Sequence, residues 1–445
     1  MTKERNRNMV IKQSAEFLND INQRYFNRGL SADFLAILAK LETYNNPKYF
    51  EGVDIILSRY RQAGLGITEL SPHFVFELAE GLPRNTFLDS KAPFIPPITT
   101  PDRHMRIDQL IASLPVPSGT RPCLLDLGCG FPPITTVEAA ERLSNWNVIG
   151  VDPSFYPYLV TNNHGYYGCF DGQENLRFMW SDALHRKVTL QNSADEITKI
   201  REDIVSAAKK LFAKFKTDKR TDEIEIEGHH LFCNPFKLYT RPNVTFMTGK
   251  IGSVEIDNIA VARLFNVSVY YDETFRLQTL DWISKILKEG GMFFCGTDWI
   301  KGLSSAYFTY KKADGVLNEV SFSFSIDCLY PLRPWIFFSM HRSYAEKDTL
   351  IRYLKILRED KKFINAFDSR FVKLVEEHGL GKKDPQSNRW LPLTQSLDLA
   401  EFNNSALEIN ELLEKEGYVD QAVLALRSHG IKAECNAVNL IEVKS

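Results

Sequence analysis

The segment Pro122-Cys-Leu-Leu-Asp126-Leu-Gly128-Cys-Gly130-Phe-Pro132-Pro133 constrains this chain more than any other. A short apolar run that ends in Gly-x-Gly and is followed by helix-forming sequence, Thr136 to Leu143, reads as a buried strand turning tightly into a helix. Glycine at such a turn lets backbone approach a ligand, because no Cβ stands in the way. A second strand, Trp146-Asn-Val-Ile-Gly-Val-Asp152, ends on a carboxylate twenty-six positions after Asp126. Strand, glycine turn, helix and acid-ended strand in this order form one half of a doubly wound α/β sheet, whose strand ends open into a common crevice.

The alternation continues through Val244-Thr-Phe-Met-Thr and Asp257-Asn-Ile-Ala-Val-Ala-Arg263, then an amphipathic helix from Asp272 to Leu287, Glu289-Gly-Gly, and a fifth strand ending at Asp298. This predicts a doubly wound, mostly parallel, Rossmann-like sheet over residues 96–340 with helices on both faces. Residues about 165–242 interrupt it as a helical insertion, with a lysine-rich stretch from Asp195 to Phe215, and insertions of that length shape the site beneath them. Residues 1–95 form a helical N-terminal domain: Ala15–Phe26, Ala32–Leu41, Pro47–Ala63 and His73–Glu80 carry apolar residues at three- and four-residue steps. The proline-rich run from Lys91 to Pro101 is the expected linker. Val320 to Ile326 alternates as a strand, with Pro334 to Ser339 as its candidate partner. Over 341–445, helices at Lys347–Glu377 and Ser405–Ser428 precede a closing strand at Ala437–Val443.

Composition removes several classes of function. The formal net charge of −2 gives no long-range attraction toward phosphate backbones, so no nucleic-acid partner is expected. Seven cysteines are scattered and never spaced C-x-x-C, which argues against a disulfide framework and a zinc site. No run approaches the ~20 apolar residues of a membrane span, and no signal peptide is evident, so a cytoplasmic protein is expected.

The crevice points to a nucleoside ligand, because a carboxylate at Asp152 can accept two hydrogen bonds from a ribose diol. A dinucleotide would lay its diphosphate on amide N–H groups at the helix start, where Pro132 and Pro133 have none. Each such charge-assisted bond is worth about 1.5–3 kcal/mol. S-adenosylmethionine has no phosphate to lose by this, and its ammonium and sulfonium suit the neighbourhood of Asp126. The expected activity is therefore methyl transfer from S-adenosylmethionine to a small-molecule or protein acceptor. The alternatives are an NAD(P)-dependent oxidoreductase and a non-catalytic cofactor-binding partner module.

Asp126-Leu-Gly-Cys-Gly130 with Val148-Ile-Gly-Val-Asp152 resembles the first two motifs of class I S-adenosylmethionine-dependent methyltransferases, over roughly residues 105–300. The resemblance implies that Gly128 and Gly130 lie along the methionine part of the cofactor, that Asp152 binds its ribose, and that Asp126 stands nearby. Arg263-Leu-Phe-Asn266-Val-Ser-Val-Tyr270-Tyr-Asp272, together with Thr99-Thr100-Pro-Asp-Arg-His-Met-Arg106, is similar to the chemotaxis-receptor methyltransferases. That similarity implies cofactor contacts from Arg263 and Asn266, with Tyr270 and Arg106 beside the transferred methyl.

Tyr271 and Asp298 are further candidates to orient an acceptor, and His164 is a candidate base that reads first as a turn histidine. His229-His230 reads as a solvated loop rather than a metal site, adjacent residues being poorly spaced to share an ion. Asn234-Pro-Phe is similar to the Asn-Pro-Pro-aromatic motif of amino-methylating enzymes but lies before the third strand. The lysines from Lys209 to Lys216 read as a solvated helix face.

Overall fold

A nine-stranded sheet carries the architecture of the chain in the computed structural model, which describes residues 16–39, 47–86, 99–115, 121–180, 190–218, 222–392 and 399–445. Most of the expected linker lies outside the described residues.

Five strands run parallel in the order β8 (Val244–Thr248), β2 (Asn147–Asp152), β1 (Cys123–Leu127), β9 (Ile259–Phe265) and β10 (Leu287–Thr297). Four more continue from β10 in antiparallel pairs: β11 (Ala306–Ala313), β12 (Val316–Phe324), β14 (Ile441–Lys444) and β13 (Ala433–Cys435). Antiparallel pairing returns β12 and β13 to the direction of β1, so seven of the nine strands point one way. The expected parallel half is present. The antiparallel half corrects one reading, because Pro334–Phe337 is a 3₁₀ turn rather than the partner of β12, and β11 and β14 take that place.

Side-chain alternation explains the layers. Leu124, Val148, Val261 and Phe294 face α5 (Met105–Ala112) and α6 (Ile134–Arg142), where they pack with Ile107, Ile111, Ala139 and Leu143. Leu125, Leu127, Ala262, Leu264, Phe293 and Cys295 face the other way. There they join one core with α1 (16–26), α2 (Ala32–Ala39), α3 (Pro47–Gln62) and α4 (Pro72–Thr86). The same core takes in α8 (Glu273–Ile286), α9 (Ala345–Glu359), α10 (Lys361–Glu377), α11 (Leu399–Lys415) and α12 (Tyr418–Ser428). Strands buried on both faces read as continuous apolar runs, and β9 is buried along its whole length.

The insertion differs from its expected helical form. Between β2 and β8 lies a second sheet, antiparallel throughout, in the order β5 (Leu176–Trp180), β4 (Tyr167–Phe170), β3 (Tyr158–Asn162), β7 (His229–Cys233) and β6 (Glu223–Ile226). One long helix, α7 (Leu190–Thr217), packs Ile204, Ala208, Leu211 and Phe212 on one face of it. Its first strand begins at Tyr158, earlier than the boundary expected near 165. Short strands joined by polar turns leave little periodicity, whereas α7 announces itself over twenty-eight residues.

On the other face of this second sheet, Leu159, Cys169 and Phe178 surround Phe131, the residue after Gly130. The Phe131 ring meets Tyr167, Phe236 and Tyr239 edge-on, at centroid distances of 6.2, 5.6 and 5.8 Å. The glycine turn is thus held by the insertion as well as by the main sheet. No described helix is long and apolar enough to cross a membrane.

Candidate active site

The strand order reverses at β1. The chain leaves β1 toward β2 on one side and later returns to β9 on the other, so a crevice opens above the carboxyl ends of β1 and β9. Gly128 and Gly130 lie there with φ of +67° and +72°, a region that L side chains seldom adopt. A Cβ on Gly128 would come within 2.3 Å of Val267 Cγ2. The first glycine therefore admits the chain that follows β9 at least as much as it admits a ligand.

Asp152, 4% exposed at the end of β2, accepts hydrogen bonds from Gly130 N at 2.9 Å and Ser154 N at 2.7 Å, one on each oxygen. A carboxylate oxygen has two lone pairs, so both keep capacity for a diol. Burial pushes the Asp152 carboxyl up, against the two amide bonds that favour its charge. Tyr271 stands close enough that the Asp152 charge, after burial, raises its phenol; its ring stacks on Phe275 at 4.1 Å.

Asp126 and Arg263 are register partners on β1 and β9 and face the same side. Arg263, 0% exposed, donates from Nε to Asp126 Oδ1 and from Nη2 to Asp126 Oδ2, both at 2.8 Å. It also donates to Asp108 of α5 and to Thr135 O, while Thr136 Oγ1 donates to Asp126. Four of the five guanidinium N–H groups are thereby used. Arg263 and Asp126, both expected beside the cofactor, are joined in this pairing, since a buried arginine without carboxylate partners would be prohibitive.

Asn266, with φ of +60°, ties the ends of β9 and β10: its Nδ2 donates to Asp298 O at 2.8 Å and its Oδ1 accepts from Asp298 N at 3.3 Å. Tyr270 closes a 3₁₀ turn (Ser268–Tyr270) and meets Phe338 edge-on, with ring centroids 6.0 Å apart. Met340 N bonds Val269 O at 2.8 Å, so residues 338–340 wall this side. Burial raises the Tyr270 phenol, and the charge of Arg103 opposes that.

Arg106 is placed differently from expectation. It pairs with Glu414 of α11 at 2.7 Å, donates to Val438 O at 3.2 Å and lies across Gly302, where a Cβ would meet its Cδ at 2.3 Å. Arg103, one turn earlier, faces Tyr270 and shares Asp298 with Arg106, and its guanidinium lies 5.1 Å from the Trp299 ring. Both arginines belong to the same short segment, and sequence gives no means to choose between them.

His104 is the residue that sequence reasoning passed over. Its Nδ1 lies 3.1 Å from Asp298 Oδ2, and Ser305 donates to Asp298 Oδ1. On the opposite face of the same strand end, buried Lys347 donates to Thr297 Oγ1 at 2.8 Å. Burial lowers that lysine to about 7.

The remaining candidates lie away from the crevice. His164 is exposed in the turn after β3. His229 and His230 are in β7 rather than a loop, facing Asp203 at 2.9 Å and Glu223 at 3.2 Å. Asn234 precedes the 3₁₀ turn Pro235–Tyr239. Lys210 and Lys216 pair with Glu227 and Glu174. No cluster of metal-ligating side chains occurs among the described residues.

No protein-family profile matches the chain, and no curated protein matches it. Solved structures it can be aligned with include the complex between the Haloferax volcanii Trm112 methyltransferase activator and a putative methyltransferase, at 15% identity and TM-score 0.21 over 43% of this chain and 51% of that one. A putative O-methyltransferase from Nostoc punctiforme gives 14% identity and TM-score 0.21, over 58% and 52%. Coclaurine N-methyltransferase, bound to N-methylheliamine and SAH, gives 14% and 0.22, over 63% and 62%. The chain spans about half the length of the first two. At these scores the fold rests on the strand order and the site on the geometry above.

Proposed function

We propose that the chain is an S-adenosylmethionine-dependent methyltransferase acting on a small-molecule or protein acceptor. The carrying observation is the fastened pair of Gly130 and Asp152, a left-handed glycine turn bonded to a buried carboxylate with lone pairs to spare, above the reversal of strand order. Asp152 would hold the ribose, and Gly128 and Gly130 would line the methionine end. Asp126, Arg263 and Asn266 would hold the turn and strand ends in place. Bound there, the cofactor would supply an electrophilic methyl group on sulfur. The walls at Tyr270 and Tyr271 would then align an acceptor and exclude water, which is most of what methyl transfer asks of a protein.

Pro132 and Pro133 stand where a dinucleotide would need amide donors, which speaks against the oxidoreductase reading. Thermal-shift measurements with S-adenosylmethionine, S-adenosylhomocysteine and NAD separate the two. The expected outcome is a rise in melting temperature with the first two and none with NAD; a rise with NAD alone overturns the proposal.

A further inference from the structure

Two buried side chains stand above the ends of β9 and β10, apart from the Gly130–Asp152 pair. His104 and Asp298 are 5% and 2% exposed, and the imidazole lies against the Phe265 ring with centroids 5.1 Å apart. Polar groups this dry are costly unless bonded. Both Asp298 oxygens are bonded, by His104 and Ser305, whereas His104 Nε2 makes no hydrogen bond with any described residue. The position matters as well. Asp152 ends β2 on one side of β1, while His104 and Asp298 lie over β9 and β10 on the other. The pair and Asp152 thus stand on opposite sides of the end of β1.

We propose that His104 is the proton acceptor for the methylated substrate, positioned by Asp298, and that the substrate therefore reacts through a hydroxyl or an amine rather than a carboxylate. The proposal rests on the methyl-transfer reading. A carboxylate is already ionised at neutral pH and needs no base, whereas a hydroxyl or ammonium must shed a proton as its lone pair attacks. His104 Nε2 takes that proton as the acceptor atom bonds to the methyl carbon, and the electrons of the carbon–sulfur bond stay on sulfur. His104 then returns the proton to water. Once Asp298 is ionised it accepts from Nδ1–H, which fixes the tautomer that leaves Nε2 bare and steadies the charged ring.

The charged and polar groups facing the pair include Arg103 just before α5, Arg106 in its first turn, Arg142 from α6, Arg263 from β9, Ser305 before β11 and Tyr307 within it. Burial pushes Asp298 up to about 8, against Ser305 and the arginines. Burial and the surrounding arginines push His104 well below its ordinary value. The extra proton of the pair therefore sits on Asp298 at neutral pH and is shed as pH rises, so the ionised carboxylate that turns Nε2 into the bare nitrogen gains toward pH 8.

Histidine-ring NMR on the full chain with S-adenosylhomocysteine bound, from about pH 6 to about pH 9 across the ordinary imidazole range, reads the pair without needing an acceptor. The expected spectrum has Nδ1 protonated and Nε2 bare above one step, and Asp298→Asn moves that step by about one pH unit or more. Nε2 protonated throughout overturns the proposal. A second arm follows labelled methyl from S-adenosylmethionine into a cell lysate. The expected label survives mild alkali, and His104→Gln lowers its incorporation by about 100-fold or more, with S-adenosylhomocysteine affinity unchanged by calorimetry. Label released as volatile methanol, the mark of a methyl ester, overturns the proposal, as does full incorporation by His104→Gln. A parent that neither binds S-adenosylhomocysteine nor transfers label overturns the methyl-transfer reading itself, while the spectra still report the tautomer.

Discussion

The amide of Gly130 donates a 2.9 Å hydrogen bond to the Asp152 carboxylate, so the turn after β1 is fastened to the end of β2 before any ligand arrives. A site built this way needs little rearrangement on binding, and under the proposed function the carboxylate would serve both the turn and the ribose. Asp152→Ala is therefore expected to weaken S-adenosylhomocysteine binding by at least about tenfold, a charged contact being worth about 1.5–3 kcal/mol. Asp152→Asn should fall between that variant and the parent. Titration calorimetry decides, and equal affinities for all three would remove the ribose assignment.

Gly128 has no room for a side chain. Its φ of +67° and the 2.3 Å approach of Val267 Cγ2 to a Cβ predict that Gly128→Ala destabilises the fold by about 2–4 kcal/mol. Adding Val267→Ala removes the clash but not the strained φ, so denaturant melts should show partial recovery. Full recovery would mean that the backbone conformation carries no cost.

Asp298 makes stability depend on pH in a definite direction. Between its ordinary 3.8 and about 8, the folded chain holds a proton that the unfolded chain has lost. This contribution is complete below pH 3.8 and disappears as pH rises through 8. The stability difference between parent and Asp298→Asn should shift toward the variant by about 1–3 kcal/mol between the two ends of that window. Chemical denaturation at several pH values reads it; a constant difference contradicts the burial argument.

Lys347 has the opposite sign. Between about 7 and its ordinary 10.5, the unfolded chain carries a proton on this lysine that the folded chain lacks, so stability rises with pH across that window. Lys347→Met keeps the volume and removes the burial penalty. It should be more stable than the parent by about 1–3 kcal/mol near pH 7, with the advantage fading toward pH 10. Melts at the two pH values test this, and a less stable variant at pH 7 would show that the bond to Thr297 outweighs desolvation.

The parallel half of the sheet was legible in the sequence because its signals are local: apolar runs, Gly128 and Gly130 at a turn, and Asp152 closing the next strand. The pairing of Arg263 with Asp126 was not, because it joins residues 137 positions apart through strand register. Motif similarity marks Arg263 as a ligand, whereas its burial against Asp126 and Asp108 shows it bracing β1, β9 and α5. Arg103 and His104 escaped notice for a related reason. They come to the crevice only when the chain before α5 crosses the ends of β9 and β10, a placement that no spacing records. The strands of the insertion were too short to alternate visibly, so only its helix was read.

Phe131 gives the second sheet a stake in the main crevice. One aromatic ring belongs at once to the loop after β1 and to the apolar patch beneath β3 and β4. An appendage moored in this way acts as a buttress: trimming it away would leave a greasy hole beside Gly130 and slacken the loop. Whatever remodels the appendage would pull on the turn that Gly130 fastens to Asp152.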